Sequence, residues 1–189
     1  MTTENPVHML THEHQYILKV VNSLKAFGEQ IERGGPVDVD TYRGIVEFMR
    51  EFADKCHHGK EEALLFPAME EKGVPESGCP LEALRSEHVK GRQLVAALDE
   101  AINAYTPGEA SAIAKILTAT RGIYQLYPNH IWKEDEMVFP MVERLFNSDE
   151  LRKLKTDFEQ VETEAGHEHD RYVEFANRVE DLASRSQLA

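Results

Sequence analysis

Several features are scarce in this chain, and each scarcity excludes something. Among 189 residues there are two cysteines, Cys56 and Cys79, in different predicted elements and without a CxxC pair. No disulfide framework is implied, and a reducing compartment is expected. No apolar run approaches the ~20 residues needed to span a bilayer. The opening Met1-Thr2-Thr3-Glu4-Asn5-Pro6 has neither a basic nor an apolar leader segment, so no secretory signal is visible and a cytoplasmic location is expected. Positive charge is also short: 21 Lys and Arg face 34 Asp and Glu, for a net charge of −13. That balance disfavours nucleic acid and anionic membrane surfaces, which are polyanions themselves. Sustained period-two alternation is absent, so no strands are expected.

What remains suits long amphipathic helices: 41% apolar and 29% charged residues. The length supports one domain with a sizeable core. We expect a single domain over residues 1–189, with core helices over about 7–146 and a further helical region over about 149–184.

The first helix follows Asn5-Pro6, a cap and first-turn proline. It carries Val7, Leu10, Ile17, Val21 and Leu24 on a stripe that also contains His14. Gly34-Gly35-Pro36 ends it. A second helix, capped by Asp38 or Asp40, carries Ile45, Phe48, Met49 and Phe52 and runs through His57 and Glu61. Pro67 lacks the N–H for residue 63, which predicts a kink or stop near Phe66. The third helix starts at Pro80 and aligns Leu81, Leu84, His88, Val95 and Leu98; Tyr105 to Gly108 breaks it. The fourth carries Ile113, Ile116, Leu117, Ile123 and Leu126, with disturbances predicted at Pro128 and Pro140. Asn147-Ser148-Asp149 caps a fifth helical region, weakened at Gly166.

An internal repeat organises the first four helices. Glu13-His14 recurs as Glu87-His88, 74 residues on, and His57-x-x-x-Glu61 recurs as His130-x-x-x-Glu134, 73 residues on. Lys60 matches Lys133, and both copies end in Phe-Pro. Two such hairpins build an antiparallel, up-down, all-α four-helix bundle. Positions i and i+4 share a helix face, so His14, His57, Glu61, His88, His130 and Glu134 converge. Buried imidazoles and carboxylates need partners, and four of one with two of the other suit a pair of first-row transition-metal ions. Mixed nitrogen and oxygen donors favour iron or manganese over a thiolate-rich zinc site. His58 and Glu62 repeat the spacing of His57 and Glu61, but their second-copy equivalents are Ile131 and Asp135. The His57 register is therefore preferred.

The other histidines lack that repeat. His8 and His12 point away from the His14 face and read as solvated. If the fifth region is continuous through Gly166, His169 falls on the side marked by Val161, Tyr172 and Ala176, which makes it a candidate further ligand. His167 then points the opposite way. Cys56 lies about 100° around the helix from His57 and reads as a packed thiol. Leu151, Leu154, Phe158, Val161, Tyr172, Phe175, Val179 and Leu182 require the fifth region to pack on something: over one end of the site, between two copies in a homo-oligomer, or on the outside.

Glu13-His14, His57-x-x-x-Glu61-Glu62-x-x-Leu65-Phe66-Pro67, Glu87-His88 and His130-x-x-x-Glu134 with Phe139-Pro140 resemble the hemerythrin HHE cation-binding family over roughly residues 7–146. The resemblance implies a non-haem centre of two iron ions with an oxo or hydroxo bridge. Glu61 and Glu134 would bridge the irons, and His14, His57, His88 and His130 would be terminal ligands. His169-Asp170-Arg171-Tyr172 is similar to a His-Glu-x-Tyr segment of some members and favours His169 as a fifth imidazole. Two departures separate the chain from the oxygen carriers: Arg92 stands where they have a second third-helix histidine, and His130-x-x-x-Glu134 replaces their His-x-x-x-x-Asp.

The implied function is binding or sensing of oxygen or another small diatomic ligand at an open iron position. The pocket would be lined by Ile17, Phe52, Leu64, Leu65, Ile131 and Val138. The alternatives are a di-iron redox enzyme or stress protein (peroxide or nitric-oxide reduction, or iron delivery for iron–sulfur repair) and a structural bundle with a vestigial metal site.

Overall fold

The computed structural model describes residues 5–78, 80–165 and 168–186. Cys79, Gly166 and His167 lie outside the described residues, so the expectations for Cys79 and His167 are not addressed. Every element among the described residues is helical, with no strand.

Helix α1 (Val7–Glu32) begins where the Asn5 side chain accepts the Val7 N–H at 3.2 Å. It ends at Gly34, whose positive φ of 88° is a backbone state that glycine adopts without strain. Of the two aspartates able to cap α2 (Val39–Phe48), Asp38 does so, accepting the Thr41 N–H at 3.1 Å. The chain then departs from regular α-helix. Met49–His58 and Glu61–Leu65 are π-helical, followed by α3 (Phe66–Glu71). After α4 (Leu81–Asn103) and α5 (Ala110–Lys133), the second copy repeats this pattern, with a π-helical Glu134–Val138 and α6 (Phe139–Leu145). Asn147 caps α7 (Ser148–Ala165) by accepting the Asp149 and Glu150 N–H groups at 2.9 and 3.1 Å. Helix α8 (Glu168–Ser186) follows.

The prolines therefore act differently from expectation. Pro67 and Pro140 sit in the first turn of new α-helices, where a missing N–H costs least. The preceding turns widen instead of breaking, with the Phe66 and Phe139 N–H groups reaching back five residues to Glu61 and Glu134. Pro128 lies on an exposed face within α5, which continues through it.

Helix α1 packs against α5 and α8, and α4 packs against α5 and α2. Gly44 on α2 admits the Phe175 ring of α8, since a Cβ there would lie 2.5 Å from the ring. The described part of the fifth region is two helices, and both bury apolar side chains against the rest. Tyr172, Ala176 and Val179 of α8 join a core with Ile17, Val21, Phe48 and Phe52. Leu154 and Phe158 of α7 join a second core with Leu10, Phe66, Leu84 and Val138. The two apolar clusters leave a polar layer on the stripe of α1, where His14 separates Leu10 from Ile17.

Candidate metal centre

The π-helical turns decide what faces this layer. Closing a turn with five residues instead of four lets neighbouring residues share the inner side. His57, His58, Lys60 and Glu61 are all buried, each 2% exposed or less. Opposite them stand His14 on α1, His88 on α4, His130 on α5 and Glu134 at the start of the third π-helical segment, all buried. The structure thus brings together the six residues of the repeat, and it adds His58.

Their inward atoms form two groups. Those of His14, His57, Glu61 and Glu134 all lie within 4.8 Å of one another, as do those of His58, His88 and His130. The carboxylates connect the groups. Glu61 Oε2 lies 3.9 Å from His57 Nε2 and 3.4 Å from His88 Nε2. Glu134 places Oε2 at 3.1 Å from His14 Nε2 and Oε1 at 2.9 Å from His130 Nε2. His58 stacks on His88, ring centres 3.8 Å apart.

The outer nitrogen of every imidazole faces a carboxylate. His57 Nδ1 is 2.8 Å from Glu13, His130 Nδ1 is 3.0 Å from Glu87, and His14 Nδ1 is 2.9 Å from Asp135. His88 Nδ1 is 2.7 Å from Glu62, and His58 Nδ1 is 3.1 Å from Asp54. The pattern obeys the repeat, since Glu13 matches Glu87 and Glu62 matches Asp135. An ionised carboxylate only accepts, so each Nδ1 must donate, and the neutral imidazole keeps its lone pair on Nε2, pointing inward.

Four of these outer carboxylates, Glu13, Glu87, Asp54 and Glu62, also face a cationic side chain. Lys60 pairs with Glu13 and Lys133 with Glu87, the same residue in both copies. Arg92 reaches Asp54 at 2.8 Å and Glu62 at 2.9 Å. The His88 hydrogen bond and Arg92 bring the Glu62 carboxyl down to about 2. His130 and Lys133 likewise hold Glu87 below the usual range. Arg92 therefore supports His58 and His88 from behind.

The interior is consequently crowded with acceptors, and in the absence of cations it must hold protons instead. His14 Nε2 and His57 Nε2 face each other at 3.0 Å. Both oxygens of Glu61 and of Glu134, with His88 Nε2 and His130 Nε2, are buried, and no well-aligned hydrogen bond satisfies them. Burial, then the Glu134 charge, pushes the Glu61 carboxyl up to about 8. Burial opposes ionisation of Glu134 too, but His130, His14 and His88 outweigh it and hold that carboxyl well below its usual value. Burial disfavours charge on His14, yet Asp135 and Glu134 raise it to about 9; Glu134 likewise raises His130 to about 10. His57 and His58 are held well below the usual imidazole value by burial and by neighbouring histidines. A nest of imidazole lone pairs and two carboxylates, dry and free of sulfur, fits hard-to-borderline transition-metal cations.

His169 is not brought to this nest. Helix α8 places it beside Glu13 and Cys56, their ligand atoms within 4.8 Å of one another, so that Glu13 stands between it and His57. Cys56 is a buried free thiol, pushed up to about 11 by burial. His8 and His12 are exposed. The signal for His58 was the His57-His58 doublet. Ile131 breaks the repeat at that position, and no sequence pattern announces the π-helical turn that lets both histidines face inward.

The model of the hemerythrin HHE cation binding domain matches residues 5–142, well over half of the chain. No curated protein and no solved structure matches it.

Proposed function

From the premise that the chain belongs to the hemerythrin HHE cation-binding family, we propose that the nest holds two iron ions in an antiparallel up-down four-helix bundle forming one domain. Glu61 and Glu134 would be shared between the two ions, together with an oxo or hydroxo group. His14 and His57 would hold one ion, and His58, His88 and His130 the other. The observation that carries this reading is the set of five imidazoles whose Nδ1 atoms are all committed to carboxylates, around Glu61 and Glu134 oxygens that no well-aligned hydrogen bond satisfies. Without cations such a set must hold protons in their place. The fifth imidazole is His58 on this reading, not His169.

One side offers three imidazoles and the side of His14 and His57 offers two, so the latter would be the side left able to take a further ligand. A di-iron pair with one open position supplies binding of oxygen or another small diatomic ligand. The chain's own residues do the rest: Ile17, Phe52, Leu65, Ile131 and Val138, all buried, keep water out. Glu13 and Asp135 fix His57 and His14 in the tautomer that offers Nε2 inward. No described helix is long and apolar enough to cross a membrane, and we place the protein in the cytoplasm.

The test is titration of the fully reduced, iron-loaded protein with oxygen, followed by absorption spectroscopy. The proposal expects a lasting spectral change that reverses under vacuum. Rapid one-way oxidation with continued consumption of added peroxide would make the chain a redox enzyme instead.

A further inference from the structure

Among the described residues one more group of metal-ligating side chains lies outside the nest, and two of its members, Cys56 and His169, line a groove of about 490 Å³ between the first π-helical segment and helices α7 and α8. We propose that Glu13, Cys56 and His169 form a separate cation site there, for a thiophilic divalent cation of the zinc class.

Their ligand atoms all lie within 4.8 Å of one another. A tetrahedral ion with bonds of ~2.0–2.3 Å needs its donors somewhat closer, a contraction that side-chain rotation supplies. A thiol, an imidazole and a carboxylate are the donor types zinc takes, and three protein donors leave a fourth position open to the groove. His169 Nδ1 is buried and has no hydrogen-bond partner, although a thiol and a carboxylate stand beside it. Of the carboxylates lining the groove, Glu51 pairs with Lys55 and Glu168 with Arg171, which leaves Glu164, among the described residues, as the acid without a cationic partner at its mouth. Sulfur separates this site from the nest, which has only nitrogen and oxygen donors.

Lys60 is the competitor. Its ammonium pairs with Glu13 Oε1, the oxygen that His57 leaves free, but it also lies 3.0 Å from Glu162 Oε1. When a cation takes Glu13 Oε1, Lys60 keeps a carboxylate partner in Glu162. The site is therefore weakened by Lys60 but not closed by it.

The full chain, its nest first saturated with ferrous iron and its iron content measured, is titrated anaerobically with cobalt(II). We expect one saturable equivalent with thiolate-to-cobalt absorption in the near ultraviolet, displaced by zinc(II). The band should vanish in Cys56→Ser, bind at least tenfold more weakly in His169→Ala, and bind more tightly in Lys60→Gln. His169 is only partly buried, so its variant tests the site without emptying a core. No band in the native chain, a band surviving in Cys56→Ser, or cobalt affinity unchanged by His169→Ala or Lys60→Gln would overturn the assignment. The iron content, read on the same samples, keeps this result apart from the fate of the di-iron reading.

Discussion

The two copies of the Lys–Glu–His arrangement differ in burial, and the difference can be read as stability. Lys60 and Glu13 are 0% and 2% exposed, whereas Lys133 and Glu87 are 26% and 21% exposed. Breaking a fully buried ion pair by removing one partner costs about 3–5 kcal/mol, because the remaining charge stays buried. Glu13 retains the His57 Nδ1–H at 2.8 Å, which favours the lower end, so Lys60→Met should cost about 3 kcal/mol. At the second copy water reaches both partners, and Lys133→Met should cost about 1 kcal/mol. For a chain of this size ~1 kcal/mol moves Tm by roughly 2–4 °C. Lys60→Met should therefore lower Tm by roughly 6–12 °C, and Lys133→Met by roughly 2–4 °C. The assay is thermal melting of the metal-free protein followed by circular dichroism. Lys60→Met combined with Glu13→Gln removes both charges and should recover much of the loss. Equal shifts for the two lysines, or a double variant no better than Lys60→Met, would refute the reasoning.

Two further outcomes follow from the nest. Glu61 at about 8, His14 at about 9 and His130 at about 10 all lie above their ordinary values of 4.5, 6.5 and 6.5. The folded metal-free chain thus holds protons that the unfolded chain releases; the stability this gives is fully present at low pH and is lost as pH rises through these values. His57 and His58, held below 6.5, act in the opposite sense but only below that window. Melting curves of the metal-free protein should therefore fall in Tm between pH 6.5 and 10, and those of the metal-loaded protein should be much flatter, because bound cations keep the ligands deprotonated. Separately, His58→Ala should speed removal of iron by a chelator about tenfold or more, as loss of a ligand or its support does at metal sites, while His12→Ala at the surface should leave the rate unchanged.

The helical class and most of the nest were legible in the sequence because they rest on periodicity and repetition. The stripes on α1 and α4 carry His14 and His88 between apolar residues, and the paired His-x-x-x-Glu segments mark the same face twice. The Glu of each Glu-His pair and the matching Lys60 and Lys133 were visible as repeats, but their role was not, since it depends on which nitrogen of His57 and His130 faces which helix. His58 was passed over because Ile131 stands at the matching position of the second copy, and α-helical spacing also sets it about 100° from His57. The i→i+5 turns that overcome this leave no pattern beyond a Phe-Pro pair, which reads more naturally as a break. His169 was legible as a ligating side chain on a packed face. Its neighbours depend on how α8 lies along α1, and they are Glu13 and Cys56.

The most direct test of the central claim, that the nest is a two-metal centre bridged by Glu61 and Glu134, is the iron content of the aerobically purified protein with its visible absorption. The account predicts close to two irons per chain and the charge-transfer absorption of an oxo-bridged ferric pair, both lost in Glu61→Ala and His57→Ala. A native chain without metal, whose stability is unchanged by the same substitutions, would contradict it.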